Sequence, residues 1–168
     1  MNRPAHILNA ALAVSAVGIA LYPLDVFNIA TVQTDVLWWW GGALVGTALA
    51  PWPDIDLRFK RLGHRTITHA IWWPLLIALI PHPFARAIAL ALLTHPLLDV
   101  VSGGCAIFWP LPRVGFPLVK TGGFTESLWN AAALALFGWW VWPTVAGWVL
   151  PVWALFQPGF LWLWRLVP

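Results

Sequence analysis

Long apolar runs, separated by short breaks of proline, glycine and charged residues, follow one another along the whole chain. They predict six hydrophobic helical segments at about residues 7–22, 36–50, 67–80, 84–101, 127–142 and 144–164. Several are shorter than the roughly 20 residues that a straight membrane span requires. We therefore expect a compact bundle of partly tilted helices. Pro74 interrupts residues 67–80, which predicts a half-span or a kinked helix there.

The composition places this bundle in a membrane. Of the 168 residues, 61% are apolar and only 9% are charged, and the mean hydropathy is +0.78. A soluble domain is nearer a quarter charged, and this chain has too few polar side chains to cover a water-facing surface. The sequence predicts an all-α, polytopic integral membrane protein with a single domain over residues 1–168 and the lipid bilayer as its surroundings. With so few basic residues we expect no nucleic-acid partner, and the single Cys105 excludes an internal disulfide.

The basic residues predict an orientation. If the six segments alternate, one side of the membrane carries eight of the nine basic residues: Arg3, Arg58, Lys60, Arg61, Arg65, Arg113, Lys120 and Arg165. The other side carries Arg86, with Asp25 and Asp35. Because cytoplasmic loops are enriched in Lys and Arg, we expect both termini in the cytoplasm and a multi-pass topology.

Ionisable residues within the predicted segments or beside their ends gather at the same cytoplasmic level. They are His6, Asp54, Asp56, His64, Arg65, His69, His95, Asp99 and Glu126. Such residues are costly inside membrane segments and usually mark function. Groups that are distant in sequence but equal in depth can form one site.

The residue types and spacings favour metal binding. His95 and Asp99 are separated by one helical turn, as are Arg65 and His69, and the "PDID" turn presents Asp54 and Asp56. Imidazole and carboxylate together suit Zn²⁺ first, with Mn²⁺ or Fe²⁺ as alternatives, either as one ion with an open position or as two ions. Taken singly, each motif is more often a helix-stabilising pair, a solvated turn or a packed histidine. Their combination predicts a metal site.

The order of these motifs resembles the YdjM-like family, whose members are LexA-regulated inner-membrane proteins described as metal-dependent hydrolases. The resemblance rests on "AH" near the start, "PDID", "GHRTITHA" and "THPLLDVVSGGCAIFWPLP", followed by a lone glutamate. It covers about three quarters of the chain and implies a bacterial inner-membrane location. Three departures are Leu57 in place of a histidine, "SGG" in place of Thr-Pro, and Ala70 in place of a serine. Because Leu57 removes one possible ligand, the first departure counts against a second metal ion. The positions carried over are His6, Asp54, Asp56, His64, Arg65, His69, His95, Asp99 and Glu126.

The leading hypothesis is therefore a metal-dependent hydrolase at the cytoplasmic membrane face that acts on a phosphoester or a lipid-linked substrate. Its metal ligands are Asp54, His69, His95 and Asp99, and the resemblance adds His6. The expected catalytic group comprises Asp56, His64, Arg65 and Glu126. Of these, Asp56, His64 and Glu126 are expected to be further ligands, orienting residues or the general base. Arg65, Arg113 and Lys120 are expected to hold the anionic group of the substrate.

Two other functions fit the same residues. A non-catalytic membrane subunit or scaffold would use the cluster as a structural metal or polar plug, and would dock other membrane proteins through its tryptophan-rich helices. A metal or proton transporter would need ionisable groups near the bilayer centre with a path to both sides. The few ionisable residues on the far side count against a transporter.

Overall fold

The protein is helical throughout the residues that its computed structural model describes, which are 2–22, 34–59 and 64–164. These residues form five α-helices: α1 (Arg3–Leu21), α2 (Thr34–Leu49), α3 (Trp72–Ala78), α4 (Pro83–Ser102) and α5 (Phe124–Trp164). Two 3₁₀ turns, Trp52–Arg58 and Ile67–His69, lie between them. The described part contains no β-strand, only one antiparallel bridge between Cys105 and Val114. The prediction of an all-α fold is confirmed.

Two compact units make up the molecule. The first comprises residues 1–133 and contains α1 to α4, both 3₁₀ turns and the start of α5. The second comprises residues 134–168 and consists, as far as it is described, of the remainder of α5. The single domain predicted from the sequence stays a prediction. Every residue of the candidate site lies in the first unit.

Helix α1 begins at a well-formed cap and carries one buried stripe. The side chain of Asn2 accepts a hydrogen bond from the amide of Ala5 at 3.0 Å, which satisfies a backbone donor that the helix itself cannot pair. The buried residues of the stripe are Ala5, His6, Ala10, Val14 and Gly18. His6 is the polar residue in this stripe, so the packing of α1 also delivers an imidazole to the interior.

Glycines allow α2 to pack closely against α4. A Cβ atom on Gly42 would collide with the backbone of Phe84, and one on Gly46 would lie 2.8 Å from the Cβ of Ala91. Gly42 and Gly46 are one helical turn apart, so both lie on the face that α4 covers. Small residues at this spacing let two apolar helices approach backbone to backbone, as in membrane helix pairs.

Three of the six predicted segments differ from the structure. Residues 67–80 form a 3₁₀ turn followed by the short helix α3, because the chain around His69 and Ala70 turns away from helical geometry. At about 1.5 Å per residue, α3 is roughly 10 Å long and too short to span a bilayer core of ~30 Å. Segments 127–142 and 144–164 lie in the single helix α5, which continues through Pro143. Proline is tolerated in long apolar helices and does not end this one.

By length and composition, two of the described helices could cross a membrane: α1 and α4. The predicted bundle of six spans is not confirmed. Four charged residues used for the orientation, Asp25, Lys60, Arg61 and Arg165, lie outside the described residues.

Candidate metal centre

Four side chains from three separate parts of the chain meet at one point. His69 Nε2 lies 3.1 Å from Asp99 Oδ2 and 3.6 Å from Asp54 Oδ1. His95 Nε2 lies 3.6 Å from the same oxygen of Asp99, 3.5 Å from the same oxygen of Asp54, and 3.2 Å from His69 Nε2. One ligand atom from each of the four residues lies within 4.8 Å of every other. The predicted convergence of Asp54, His69, His95 and Asp99 is confirmed.

The spacing of these atoms matches the coordination shell of a divalent metal ion. In a tetrahedral site with bonds of about 2.0–2.2 Å, neighbouring ligand atoms are about 3.3–3.6 Å apart. Five of the six distances among the two imidazole nitrogens and the two carboxylate oxygens run from 3.1 to 3.6 Å. These four residues therefore lie close enough to hold one metal ion, and their donor atoms are of the right kind.

In both His69 and His95, Nδ1 is hydrogen-bonded to a group outside the centre, which leaves Nε2 to face the centre. His95 Nδ1 lies 2.8 Å from the carbonyl oxygen of Ala50, which can only accept, so Nδ1 carries the proton. His69 Nδ1 lies 3.0 Å from the hydroxyl of Thr68, whose own proton goes to Asp56 Oδ2 at 2.8 Å. A carboxylate or carbonyl behind a histidine ligand is the usual support of a metal-binding imidazole.

The centre is buried, with one side that is partly open. The side chains of His69, His95 and Asp99 are at most 1% exposed, whereas that of Asp54 is 13% exposed. Burial alone would raise the pKa of Asp54, but its close contacts with the imidazoles of His69 and His95 outweigh burial and hold that pKa well below its ordinary value. Asp54 therefore stays ionised. Solvent reaches the centre from the Asp54 side.

The pKa of His69 responds to the same charges in the opposite direction. Burial alone would lower it, but the carboxylates of Asp54 and Asp99 outweigh burial and raise the pKa of His69 above 6.5. The negative charge of the centre thus attracts a cation, either a proton on His69 or a metal ion between the four side chains.

His6 lies immediately beside this group. Its ring stacks on that of His95 at a centroid separation of 3.8 Å, and its Nε2 lies 3.5 Å from Asp99 Oδ1. The side chain is fully buried, and neither ring nitrogen has a hydrogen-bond partner among the described residues. His6 faces the outer oxygen of Asp99, so its predicted role as a direct ligand stays a prediction.

Asp56 and His64 form a second pair next to the centre. The buried carboxylate of Asp56 lies 3.0 Å from His64 Nδ1, and it accepts hydrogen bonds from the amide of Arg65 at 2.9 Å and from the hydroxyl of Thr68. Burial would raise the pKa of Asp56, but these hydrogen bonds outweigh burial and lower it. The side chain of His64 is 42% exposed, and together with Asp54 and Asp56 it makes a second group of closely spaced ligand atoms.

Arg65 connects the centre to the loop that follows α4. Its Nε lies 3.3 Å from Asp99 Oδ2, and its Nη1 donates to the carbonyl of Gly104 at 3.4 Å. Arg65 itself has a positive φ of 59°, which is uncommon for a residue with a side chain and clusters at functional sites. Gly104, with φ of 91°, supplies the left-handed conformation that the loop needs here. Gly104, the last residue of the "SGG" stretch, is thus part of how this chain positions Arg65.

The other predicted site residues lie further out. Glu126, at the start of α5, is buried and accepts hydrogen bonds from the backbone amides of Asn2 and Gly122, so it joins α5 to the beginning of α1. Arg113 donates to the carbonyl of His64 at 2.6 Å. The amide of Lys120 donates to the Thr125 hydroxyl. Their catalytic or anion-holding roles stay predictions.

Two parts of the site were not predicted from the sequence. By its position, Thr68 is most simply a helix-start residue, yet its hydroxyl bridges His69 and Asp56. The carbonyl of Ala50 orients His95 from 45 residues away. A hydroxyl next to a predicted histidine ligand is a usable signal for Thr68. A backbone carbonyl offers none, because any residue carries one.

No family model, curated protein or solved structure matches the chain in the comparisons with known proteins.

Proposed function

We propose that this protein is a membrane-bound, metal-dependent hydrolase whose metal is held by Asp54, His69, His95 and Asp99. The observation that carries the proposal is the approach of His69 Nε2 and His95 Nε2 to 3.2 Å. Because both rings have their outer nitrogen hydrogen-bonded, two lone pairs and two carboxylates face one another. A divalent cation between them relieves that repulsion. Zn²⁺ is the ion that prefers this mixture of nitrogen and oxygen ligands, with Mn²⁺ and Fe²⁺ as alternatives.

The reaction class follows from the groups beside the metal ligands. A bound divalent metal ion supplies a more acidic water, with a pKa near about 7 in zinc enzymes, and polarises an ester oxygen. Hydrolysis of a phosphoester adds the water oxygen to phosphorus, breaks the bond to the leaving oxygen, and moves one water proton to that oxygen. His64 is placed to carry this proton, because it is accessible to solvent and its Nδ1 is held by Asp56.

Arg65 and His6 complete the arrangement around Asp99. Arg65 places a positive charge 3.3 Å from Asp99 Oδ2, and His6 lies against Asp99 Oδ1. These contacts fix the carboxylate, so that it does not rotate away when the centre changes its net charge. The similarity of the motifs to the YdjM-like family supports the same class of activity and a bacterial inner-membrane location.

A membrane location is supported by the apolar exterior as well as by the two long helices. Leu37, Leu44, Leu79 and Trp139 are 64–77% exposed, and large exposed apolar surfaces mark contact with lipid or with another protein. Helices α1 and α4 carry His6, His95 and Asp99, so the proposal places the metal where membrane helices end. The charge distribution favours the cytoplasmic side for this end and for both termini.

A structural metal is the second candidate, and one observation favours it. Four protein ligands that are almost fully buried resemble the closed shell of structural zinc sites, whereas catalytic sites usually keep a position open. In that case the protein would be a membrane subunit, and its exposed tryptophans, such as Trp139 and Trp142, would contact other membrane proteins.

The variant His64→Ala distinguishes the two candidates. The protein is purified in detergent, its metal content is measured by mass spectrometry, and hydrolysis of bis-p-nitrophenyl phosphate is followed with added Zn²⁺ or Mn²⁺. An enzyme keeps its metal and melting temperature in the variant but loses most of its activity. A structural site predicts no hydrolysis by wild-type protein and a large fall in melting temperature when the metal is chelated. Metal-free wild-type protein that does not bind Zn²⁺ or Mn²⁺ would contradict both candidates.

A further inference from the structure

The route to the metal centre opens on the side of Asp54. Of the four candidate ligands, Asp54 is the one with a partly exposed side chain, at 13% against 1% or less for the others. A pocket of about 320 Å³ lies against that side chain, between the first turns of α1 and the 3₁₀ turn Trp52–Arg58. The pocket therefore borders the candidate ligand that is partly exposed.

Two arginines line this pocket. Arg3 is the first residue of α1, and Arg58 is the last residue of the 3₁₀ turn, so two arginines that are 55 positions apart in the chain line one pocket. Neither side chain forms a hydrogen bond or an ion pair with another of the described residues. The carboxylate of Asp54 lines the same pocket and carries one negative charge against the two positive charges of the arginines, so the net charge stays positive. The pocket therefore carries positive charge directly beside a candidate metal ligand.

The remaining walls of the pocket are apolar. Ile7, Leu49, Trp52 and Ile55 line it, and the side chain of Trp52 is 60% exposed. Arginine binds phosphate through two parallel hydrogen bonds, whereas the aliphatic and indole walls offer nothing to a fully hydrated ion. A ligand that suits the whole pocket has an anionic group next to an apolar body.

We infer that this pocket is the substrate subsite, in which Arg3 and Arg58 hold the phosphoryl group of an anionic amphiphile against Asp54. The inference rests on the proposed function, since it names the substrate class of the same centre. It moves the anion-holding role away from Arg65, whose guanidinium is directed to Asp99 and Gly104. The phosphoryl chemistry is shared by lipid phosphates and by small soluble phosphates, and the apolar walls favour the lipid.

A binding experiment tests the subsite without using activity. The purified protein is titrated in detergent with a short-chain phosphatidic acid, with the matching diacylglycerol that lacks the phosphate, and with inorganic phosphate. We expect saturable binding of phosphatidic acid, much weaker binding of inorganic phosphate, and none of the diacylglycerol. In Arg3→Ala/Arg58→Ala the affinity for phosphatidic acid should fall by about tenfold or more, as two charge-assisted contacts are lost. Arg86→Ala, an exposed arginine in α4, is the control and should bind as wild type does.

The results separate this inference from the proposed function. Equal affinity of wild type and the double variant for phosphatidic acid would overturn the arginine subsite, whatever the metal content. Equal binding of inorganic phosphate and phosphatidic acid would overturn the claim that the ligand is an amphiphile and would leave a site for phosphate alone. Arginine-dependent binding by a protein that holds no metal would support the subsite and contradict the hydrolase. An unchanged metal content in the double variant shows that its loss of binding does not come from a collapsed centre.

Discussion

His69 Nε2 and His95 Nε2 lie 3.2 Å apart, although the two residues are 26 positions apart in the chain and belong to different elements. Two imidazole nitrogens approach this closely only when a proton or a cation lies between them. Here each ring has its other nitrogen fixed from behind, by Thr68 for His69 and by Ala50 for His95. The fold thus directs two imidazole nitrogens and two carboxylates at one point, and several measurable consequences follow from this contact.

Removing a ligand should remove the metal. His95→Ala and Asp99→Ala each take one of the four ligand atoms from the centre, so we expect the metal content of purified protein to fall close to zero. His82→Ala is the matched control, because His82 caps the opposite end of the same helix and is exposed. Metal content is measured by mass spectrometry after dialysis against metal-free buffer. Full metal occupancy in both ligand variants would contradict the assignment.

Thr68→Val should weaken the metal centre without abolishing it. The hydroxyl of Thr68 supports His69 Nδ1 and donates to Asp56, and loss of such an outer contact typically lowers metal affinity about 10–100-fold. Thr94→Val is the control, because Thr94 hydrogen-bonds the Ala91 carbonyl within its own helix. Affinities are compared by competition with a fluorescent chelator. Identical affinities of Thr68→Val and wild type would show that the threonine does not orient the ligand.

Metal binding should weaken as the pH falls. The pKa of His69 is raised above 6.5, so its ring binds a proton more readily than a free histidine in the metal-free protein, and this proton must leave when the metal binds. Asp54 has a lowered pKa and remains ionised, so it takes up no proton in this range. We expect the affinity to decrease by about tenfold per pH unit below the raised pKa, for one proton released. The measurement is a metal titration over the mildly acidic to neutral range. A flat profile would exclude His69 as a ligand.

The contact between α2 and α4 should depend on Gly42. In Gly42→Ala the new methyl group meets the backbone of Phe84, which cannot move without shifting α4, and overpacking of this kind costs about 1–3 kcal/mol. Gly138→Ala changes a helical glycine that has open space around it, and should be neutral or stabilising by up to about 1 kcal/mol. The melting temperatures of Gly42→Ala and Gly138→Ala are measured in detergent and compared with that of wild type. Equal melting temperatures would mean that the helices do not pack at Gly42.

Cys105 should be inert in the folded protein. Its thiol is fully buried and donates to the carbonyl of Pro96, and burial, with the nearby charge of Asp99, raises the pKa of the thiol to about 11. Since the thiolate is the reactive form, we expect no labelling of the native protein by a maleimide at neutral pH and complete labelling in denaturant. Rapid labelling of the native protein would indicate that the loop after α4 opens.

The sequence by itself determined the all-α fold and the identity of the candidate metal ligands. Apolar runs of this length can bury themselves in a membrane only as helices, and imidazoles and carboxylates in such runs need partners. Residue type and position therefore select a group that contains Asp54, His69, His95 and Asp99, together with His6, whose role as a ligand stays a prediction. Helix boundaries are harder to predict, because neither Pro74, in the first turn of α3, nor Pro143, inside α5, ends its helix. Residues 67–80 leave helical geometry at His69 and Ala70 instead, where the sequence carries no proline.

Only the tertiary structure decided how these side chains face one another. Which oxygen of Asp99 faces His69, which nitrogen of His95 is held by Ala50, and which arginines line the pocket beside Asp54 depend on the packing of distant segments. The motif order predicts Arg65 at the substrate, whereas the fold directs it to Asp99 and brings Arg3 and Arg58 to the open side. Residue types limit the chemistry that is available, but distances and access arise only when separate helices are brought into contact.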